Sequence, residues 1–129
     1  MSSLVRGVVV AHGDVARAMV EAVRRIAGDA ADGLEPISNE GASPTELRGM
    51  LDRALGEDPA VVFVDLQAGS CGMAALQSCR SREDRAVVCG VNLPMLLDFV
   101  FHRDLPITEI VGRVVERGRN AVASTLPPR

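Results

Sequence analysis

Leu4-Val5-Arg6-Gly7-Val8-Val9-Val10-Ala11-His12-Gly13 is the stretch on which the fold turns. It is rich in β-branched residues and scarcely alternates. Such a run predicts a strand buried on both faces, as in the centre of a parallel sheet covered by helices. It ends in a histidine followed by a glycine. In open α/β sheets, ligands bind outside the carboxyl ends of the strands, so the position predicts a functional imidazole at His12, with Gly13 allowing a sharp exit.

The rest of the chain alternates in the same way. Residues 14–27 carry Val15, Ala18, Met19, Ala22, Val23 and Ile26 at helical spacing, with Gly28 placed as a C-cap. Residues 29–33 read as a loop, and residues 34–38 as a weak strand that Pro36 assigns to an edge. Ser43-Pro44-Thr45-Glu46 combines a capping serine, a first-turn proline and a reciprocal glutamate, which starts a helix with Leu47, Met50, Leu51 and Ala54 inward. Residues 60–64, Ala-Val-Val-Phe-Val, form a second fully apolar strand and end in Asp65. A small-residue loop then leads at Ser70 into a helix with Met73, Ala74 and Leu76, reaching about Arg80. Residues 85–91 are a fourth strand, Asn92-Leu93-Pro94 a turn, and residues 95–102 an apolar helix. A last amphipathic helix runs from Ile107 to about Ala121, with Ile110, Val111, Val114 and Val115 inward, and the tail 126–129 frays.

This pattern predicts one α/β domain over residues 1–129, with its ordered core at about 3–124: a doubly wound, mostly parallel open sheet in the order 2-1-3-4 with helices on both faces. The switch point falls between the first and third strands. His12 and Asp65 therefore reach one crevice, beside the helix N-terminus at Gly69, Ser70, Cys71 and Gly72. Asp65 would accept from one imidazole N–H and fix the tautomer, leaving the other nitrogen as a nucleophile. The loop amides and the Ser70 hydroxyl would receive a phosphoryl dianion, with the helix dipole adding about 0.3–1 kcal/mol. No metal or other cofactor is needed for that chemistry.

Composition narrows the classes. Seventeen acidic residues against fourteen basic ones, all of them Arg, leave a net charge of −3 and no basic block for nucleic acid. Trp and Tyr are absent, which removes the usual stacking platform for bases or sugars. No stretch approaches the roughly 20 apolar residues of a membrane helix, and the chain is expected to be cytoplasmic. Cys71, Cys79 and Cys89 are odd in number and lack metal-ligand spacing, so they read as reduced thiols. Cys71, at a helix start, is the rival nucleophile. A Cys-x5-Arg phosphatase would require Arg at position 77, which is Gln77. His102 is given no role.

Four stretches carry a resemblance: 9–13 (Val-Val-Ala-His-Gly), 64–70 (Val-Asp-Leu-Gln-Ala-Gly-Ser), 90–96 (Gly-Val-Asn-Leu-Pro-Met-Leu) and 115–119 (Val-Glu-Arg-Gly-Arg). With them the chain resembles, over nearly its whole length, the mannose-type IIA domain of the bacterial phosphoenolpyruvate-dependent sugar phosphotransferase system. The resemblance implies that His12 accepts a phosphoryl group from phospho-HPr and passes it to a IIB protein, touching the membrane only through permease partners. It maps the family aspartate onto Asp65 and places Asn92 and Pro94 near the site. It also implies a homodimer in which an antiparallel edge strand, here about residues 120–125, is exchanged. The loop departs from the family's usual Gly-Gly-Ser-Pro, reading Ala68-Gly69-Ser70-Cys71, and Ala11 stands where a hydroxyl often precedes the histidine. Two functions remain open: a phosphocarrier for uptake of a mannose-, fructose- or sorbose-type sugar, or a regulatory phosphohistidine protein of an incomplete chain without transport.

Overall fold

The computed structural model describes residues 4–127. Four strands, β1 (Arg6–Ala11), β2 (Leu34–Ser38), β3 (Ala60–Val64) and β4 (Arg85–Cys89), form one open parallel sheet in the order β2-β1-β3-β4. The helices are α1 (Val15–Ala27), α2 (Pro44–Leu55), α3 (Ser70–Cys79), α4 (Leu93–Val100) and α5 (Ile107–Asn120). Between α1 and β2 the chain forms a 3-10 turn at Gly28–Gly33, where the sequence reading expected a loop. The expected order and parallel geometry are both present.

β1 is central because both of its faces are needed. Val9 and Ala11 point into one core with Val61, Phe63 and Val88, closed by residues of α1, α4 and α5. Val8 and Val10 point into the other with Val62 and Val64, closed by α2 and α3. Each fully buried valine contributes about 1.5–3 kcal/mol relative to an exposed one, so a polar residue in β1 would weaken one layer outright. Phe63 meets Phe99 edge-on, with ring centroids 5.2 Å apart. The Phe99 ring lies over Gly7, where any Cβ would overlap it.

Helix starts follow their sequence signals where caps exist. Ser43 Oγ accepts the Glu46 N–H and the Glu46 carboxylate accepts the Ser43 N–H, closing the expected capping box. Asn92, read as part of a turn, is instead the N-cap of α4: its Oδ1 accepts the Met95 N–H at 3.2 Å. Its Nδ2 donates to the Gly118 carbonyl at 3.1 Å, joining α4 to α5. Gly118 is needed there, because the Met95 side chain fills the space that a Cβ would take. The 90–96 and 115–119 stretches are thus two halves of one helix–helix contact.

A second contact locks the same helices. Asp98, almost wholly buried on α4, accepts from Arg113 of α5 through both oxygens at 3.1 and 3.3 Å. His102 Nδ1 lies 2.7 Å from the Asp98 carbonyl oxygen, and its Nε2 lies 3.1 Å from the Arg113 guanidinium. His102 therefore has a structural place that the sequence reading did not assign.

Two helix faces differ from expectation. In α1 the buried residues are Ala16, Val20 and Val23, with Met19 and Ala27 packed beside them, while Val15 and Ile26 are exposed. In α3 the small residues Cys71, Gly72, Ala74, Ala75 and Ser78 face inward and Met73 and Leu76 face outward. Strand β4 stops at Cys89, and α4 begins two residues earlier than expected. The anticipated antiparallel edge strand is absent from the sheet: beyond a turn at Ala121, residues 122–127 belong to no strand. The last two residues of the predicted frayed tail lie outside the described residues.

Removing the Ser43 hydroxyl leaves an N-terminal amide of α2 without its acceptor. Ser43→Ala is expected to lower unfolding stability by about 1 kcal/mol, read from the urea midpoint at unchanged m-value.

Candidate functional site

The pairing of β1 with β3 places Val10 opposite Val64, so the residues leaving those strands come out side by side. The His12 backbone N–H donates to Asp65 Oδ2 at 3.0 Å. The His12 ring approaches the same carboxylate through Nδ1, 2.9 Å from Oδ2 and 3.2 Å from Oδ1. Asp65 Oδ1 also accepts the Leu66 N–H at 3.0 Å. A carboxylate only accepts, so Nδ1 carries the proton and Nε2 presents its lone pair. The His12 side chain is 40% exposed and that of Asp65 18%, which leaves the imidazole reachable and its partner sheltered.

Burial pushes the Asp65 carboxyl upward, but hydrogen bonds from the His12 backbone N–H and ring N–H, with the electrostatic attraction of the ring, outweigh this. The net effect holds it below the usual carboxylate range. It therefore stays ionised and keeps the tautomer fixed at neutral pH.

The chain after Asp65 arches over the ring. Gly69 adopts φ +102°, a conformation glycine takes without strain, and a Cβ there would stand 3.8 Å from His12 Nε2, in van der Waals contact. Gly69 is the N-cap of α3, and Ser70 is its first helical residue rather than the cap. Gly72 packs against the loop so closely that a Cβ would overlap the Gln67 carbonyl oxygen. The N–H groups of Ser70, Cys71 and Gly72 lie in the first turn of α3 and have no acceptor within the helix. The structure thus brings His12, Asp65, Gly69, Ser70 and the start of α3 together.

Other expected residues sit differently. The Cys71 side chain is fully buried beneath the site, and burial together with the Asp65 charge pushes its thiol up, which removes the basis of a thiolate nucleophile. One ligand atom each from His12, Asp65 and Cys71 lies within 4.8 Å of the others. A metal there would have to displace the His12 Nδ1 proton from Asp65 and ionise a thiol held neutral by its surroundings. The donor set is arranged for hydrogen bonding. Gly13, with φ +57°, makes the turn out of β1. Asn92 and Pro94 follow β4 on the same side of the sheet, but Asn92 hydrogen-bonds to Met95 and Gly118 and not to His12 or Asp65.

Asn39 was missed. It follows β2 directly, and its Oδ1 accepts the Gly13 N–H at 3.3 Å while its own N–H donates to the Ala11 carbonyl at 3.2 Å. Its Nδ2 lies 3.5 Å from Ser70 Oγ. The signal was available: it is the polar residue leaving the strand on the other side of β1.

A profile of the EIIA-man family, described as the PTS system fructose IIA component, matches residues 7–115. The chain belongs to the EIIA-man family. Among solved structures it is similar to the mannose/sorbose-specific IIA subunit of the phosphotransferase system from Enterococcus faecalis, at 21% identity and TM-score 0.86 with 98% of each chain covered. It is likewise similar to the phosphotransferase component EIIA from Streptococcus agalactiae, at 22% identity and TM-score 0.87, covering 94% of this chain and 97% of that one. The PTS IIA protein associated with the fucose utilization operon of Streptococcus pneumoniae follows at 22% identity and TM-score 0.76, with 96% of each covered. No curated protein matches the sequence. These EIIA-man structures share the open α/β fold, and the family membership supports a role in the phosphotransferase system for this chain.

Asp65 makes a pH signature. Its carboxyl is lowered in the folded state, so its contribution is fully present above the unfolded value of about 3.9 and is lost as pH falls through the folded value. Asp65→Asn is expected to cost about 1–3 kcal/mol at pH 7. In urea titrations across pH 2–7 the gap between the two proteins should close below about pH 4.

Proposed function

We propose that this chain is a phosphocarrier that accepts a phosphoryl group from phospho-HPr on Nε2 of His12 and passes it to a IIB protein serving sugar uptake. The observation that carries this reading is the bond from Asp65 to Nδ1, which leaves Nε2 as the free nitrogen at the rim. In the transfer, the Nε2 lone pair forms a new N–P bond as the N–P bond of the donor breaks. The donor imidazole departs with that electron pair. The His12 ring then carries positive charge, with its Nδ1–H still donating to Asp65, and the carboxylate stabilises it at close range. The Ser70, Cys71 and Gly72 N–H groups and the Ser70 hydroxyl face the incoming anion. The same Asp65 charge disfavours the bound dianion, so the phosphoryl group remains transferable.

Partner access supports the reading. Leu66 and Met73, on the loop after β3 and on α3, are exposed beside the site, as large apolar residues that a docked protein covers. No described helix is long and apolar enough to cross a membrane, consistent with a carrier that works from the cytoplasm and meets the membrane only through permease partners. We further propose a homodimer. β4 is an edge of the sheet, and residues 121–125 follow α5 without a strand partner, with Val122 79% exposed. Exchange of that segment would pair it.

Incubation with phosphoenolpyruvate, enzyme I and HPr should add one acid-labile phosphoryl group by intact mass, and His12→Ala should abolish it. An unmodified wild-type protein overturns the phosphocarrier reading, and phosphorylation without onward transfer to any IIB protein would favour a regulatory role. Asp65→Asn should remain folded and transfer at least tenfold more slowly. Light scattering should give twice the chain mass, falling to one chain when residues 120–129 are deleted.

A further inference from the structure

We infer that Asn39 is a positioning residue for phosphoryl acceptance, acting through the Ser70 hydroxyl. The inference rests on the reading that His12 receives the phosphoryl group, and adds a third strand tip to the site.

His12 leaves the central strand between two neighbours. On the β3 side stands Asp65, an acceptor that fixes the ring. On the β2 side stands Asn39, whose amide is pinned in one orientation by its contacts. The Gly13 N–H can only donate, so the group 3.3 Å from it must be the carbonyl oxygen Oδ1. This turns Nδ2 toward Ser70 Oγ, 3.5 Å away. The backbone of Asn39 is tied as well, through its N–H to the Ala11 carbonyl. Asn39 is thereby fixed to the turn that carries His12 and reaches across to the helix that carries the anion-facing amides.

A serine hydroxyl that accepts from Nδ2 must aim its own proton elsewhere. Ser70 follows Gly69, whose Cβ position is only 3.8 Å from His12 Nε2, so a phosphoryl oxygen on that nitrogen comes within reach of the hydroxyl proton. The arrangement is a short relay: Asn39 Nδ2–H to Ser70 Oγ, and Ser70 O–H to the phosphoryl oxygen. Donation from the amide polarises the hydroxyl and strengthens its bond to an anion. The 3.5 Å separation is long for a resting hydrogen bond and is expected to tighten once an anion draws the hydroxyl proton. No bond is broken in this relay; it orders donors around a group whose transfer chemistry belongs to His12.

The test is a double-mutant cycle on the initial rate of phosphoryl gain from phosphoenolpyruvate, enzyme I and HPr, with melting temperatures measured alongside. Asn39→Ala and Ser70→Ala should each slow phosphorylation of His12 about tenfold, the size expected for one hydrogen bond to a charged group. The double variant should be no slower than Ser70→Ala alone. Rates that multiply, or an Asn39→Ala protein phosphorylated at the wild-type rate, overturn the relay. If Asn39→Ala fails to fold, Asn39→Asp decides the matter. It keeps the acceptor for Gly13 but presents an oxygen to Ser70, so it should melt near wild type yet accept phosphoryl at least tenfold more slowly. A wild-type rate for Asn39→Asp rejects the inference. Failure of the wild-type protein to be phosphorylated would instead remove the underlying reading, a result distinguishable from either outcome above.

Discussion

The Asp65 carboxylate is the constraint on which the site depends. It takes three N–H groups, one from the His12 backbone, one from the His12 ring and one from Leu66, and each does something different. The first ties the end of β1 to the end of β3. The second selects the tautomer. The third starts the loop that returns over the imidazole. Because all three converge on one charge, the strand pairing, the protonation state and the loop path are set together. Parallel pairing of β1 with β3 makes this possible by bringing two carboxyl ends out at the same level, while the helices occupy the two faces and leave that end open.

The two cores support this from below in unequal ways. The α2 and α3 side is built from Val8, Val10, Val62 and Val64 against Leu47, Leu51 and Leu55 of α2 and the small residues Cys71, Ala74 and Ala75 of α3, so α3 lies close to the sheet and its N-terminus meets the site. The α1, α4 and α5 side is bulkier, with Phe63 and Phe99 in edge contact and two separate ties between α4 and α5. Asp98 is buried while Arg113 reaches water, so removing Arg113 leaves the Asp98 charge with only the more distant Arg117, whereas removing Asp98 strands no charge. That side acts as the rigid backing of the molecule.

How much of this could be read in advance depends on the kind of signal. The apolar runs of β1 and β3 bury both faces and so announce themselves, and with them came the strand order and the meeting of His12 with Asp65. The capping box at Ser43 is local chemistry and was equally plain. The faces of α1 and α3 were less so, because Ala16, Gly72 and Ala75 carry little weight in a hydrophobic count although close approach to the sheet selects them. The resemblance places Asn92 and Pro94 near the site, and the further role of Asn92 in capping α4 and tying it to α5 was not legible, since a motif does not reveal which neighbour its side chains meet. Asn39 was passed over because β2 is short, interrupted by Pro36 and weak as a strand, so its carboxyl end was not treated as the equal of the others.

The close packing of Gly72 on Gln67 bears on the loop's departures from its family. Position 71 turns its side chain into the core, so proline at this helix-start position and the cysteine found here differ below the site. Ala68 sits one residue before the glycine that needs a positive φ, outside the tight approach. A cradle made of main chain thus leaves sequence drift free at those two positions while confining it at Gly69 and Gly72. Members of one family can share only a fifth of their residues and still keep the same open fold.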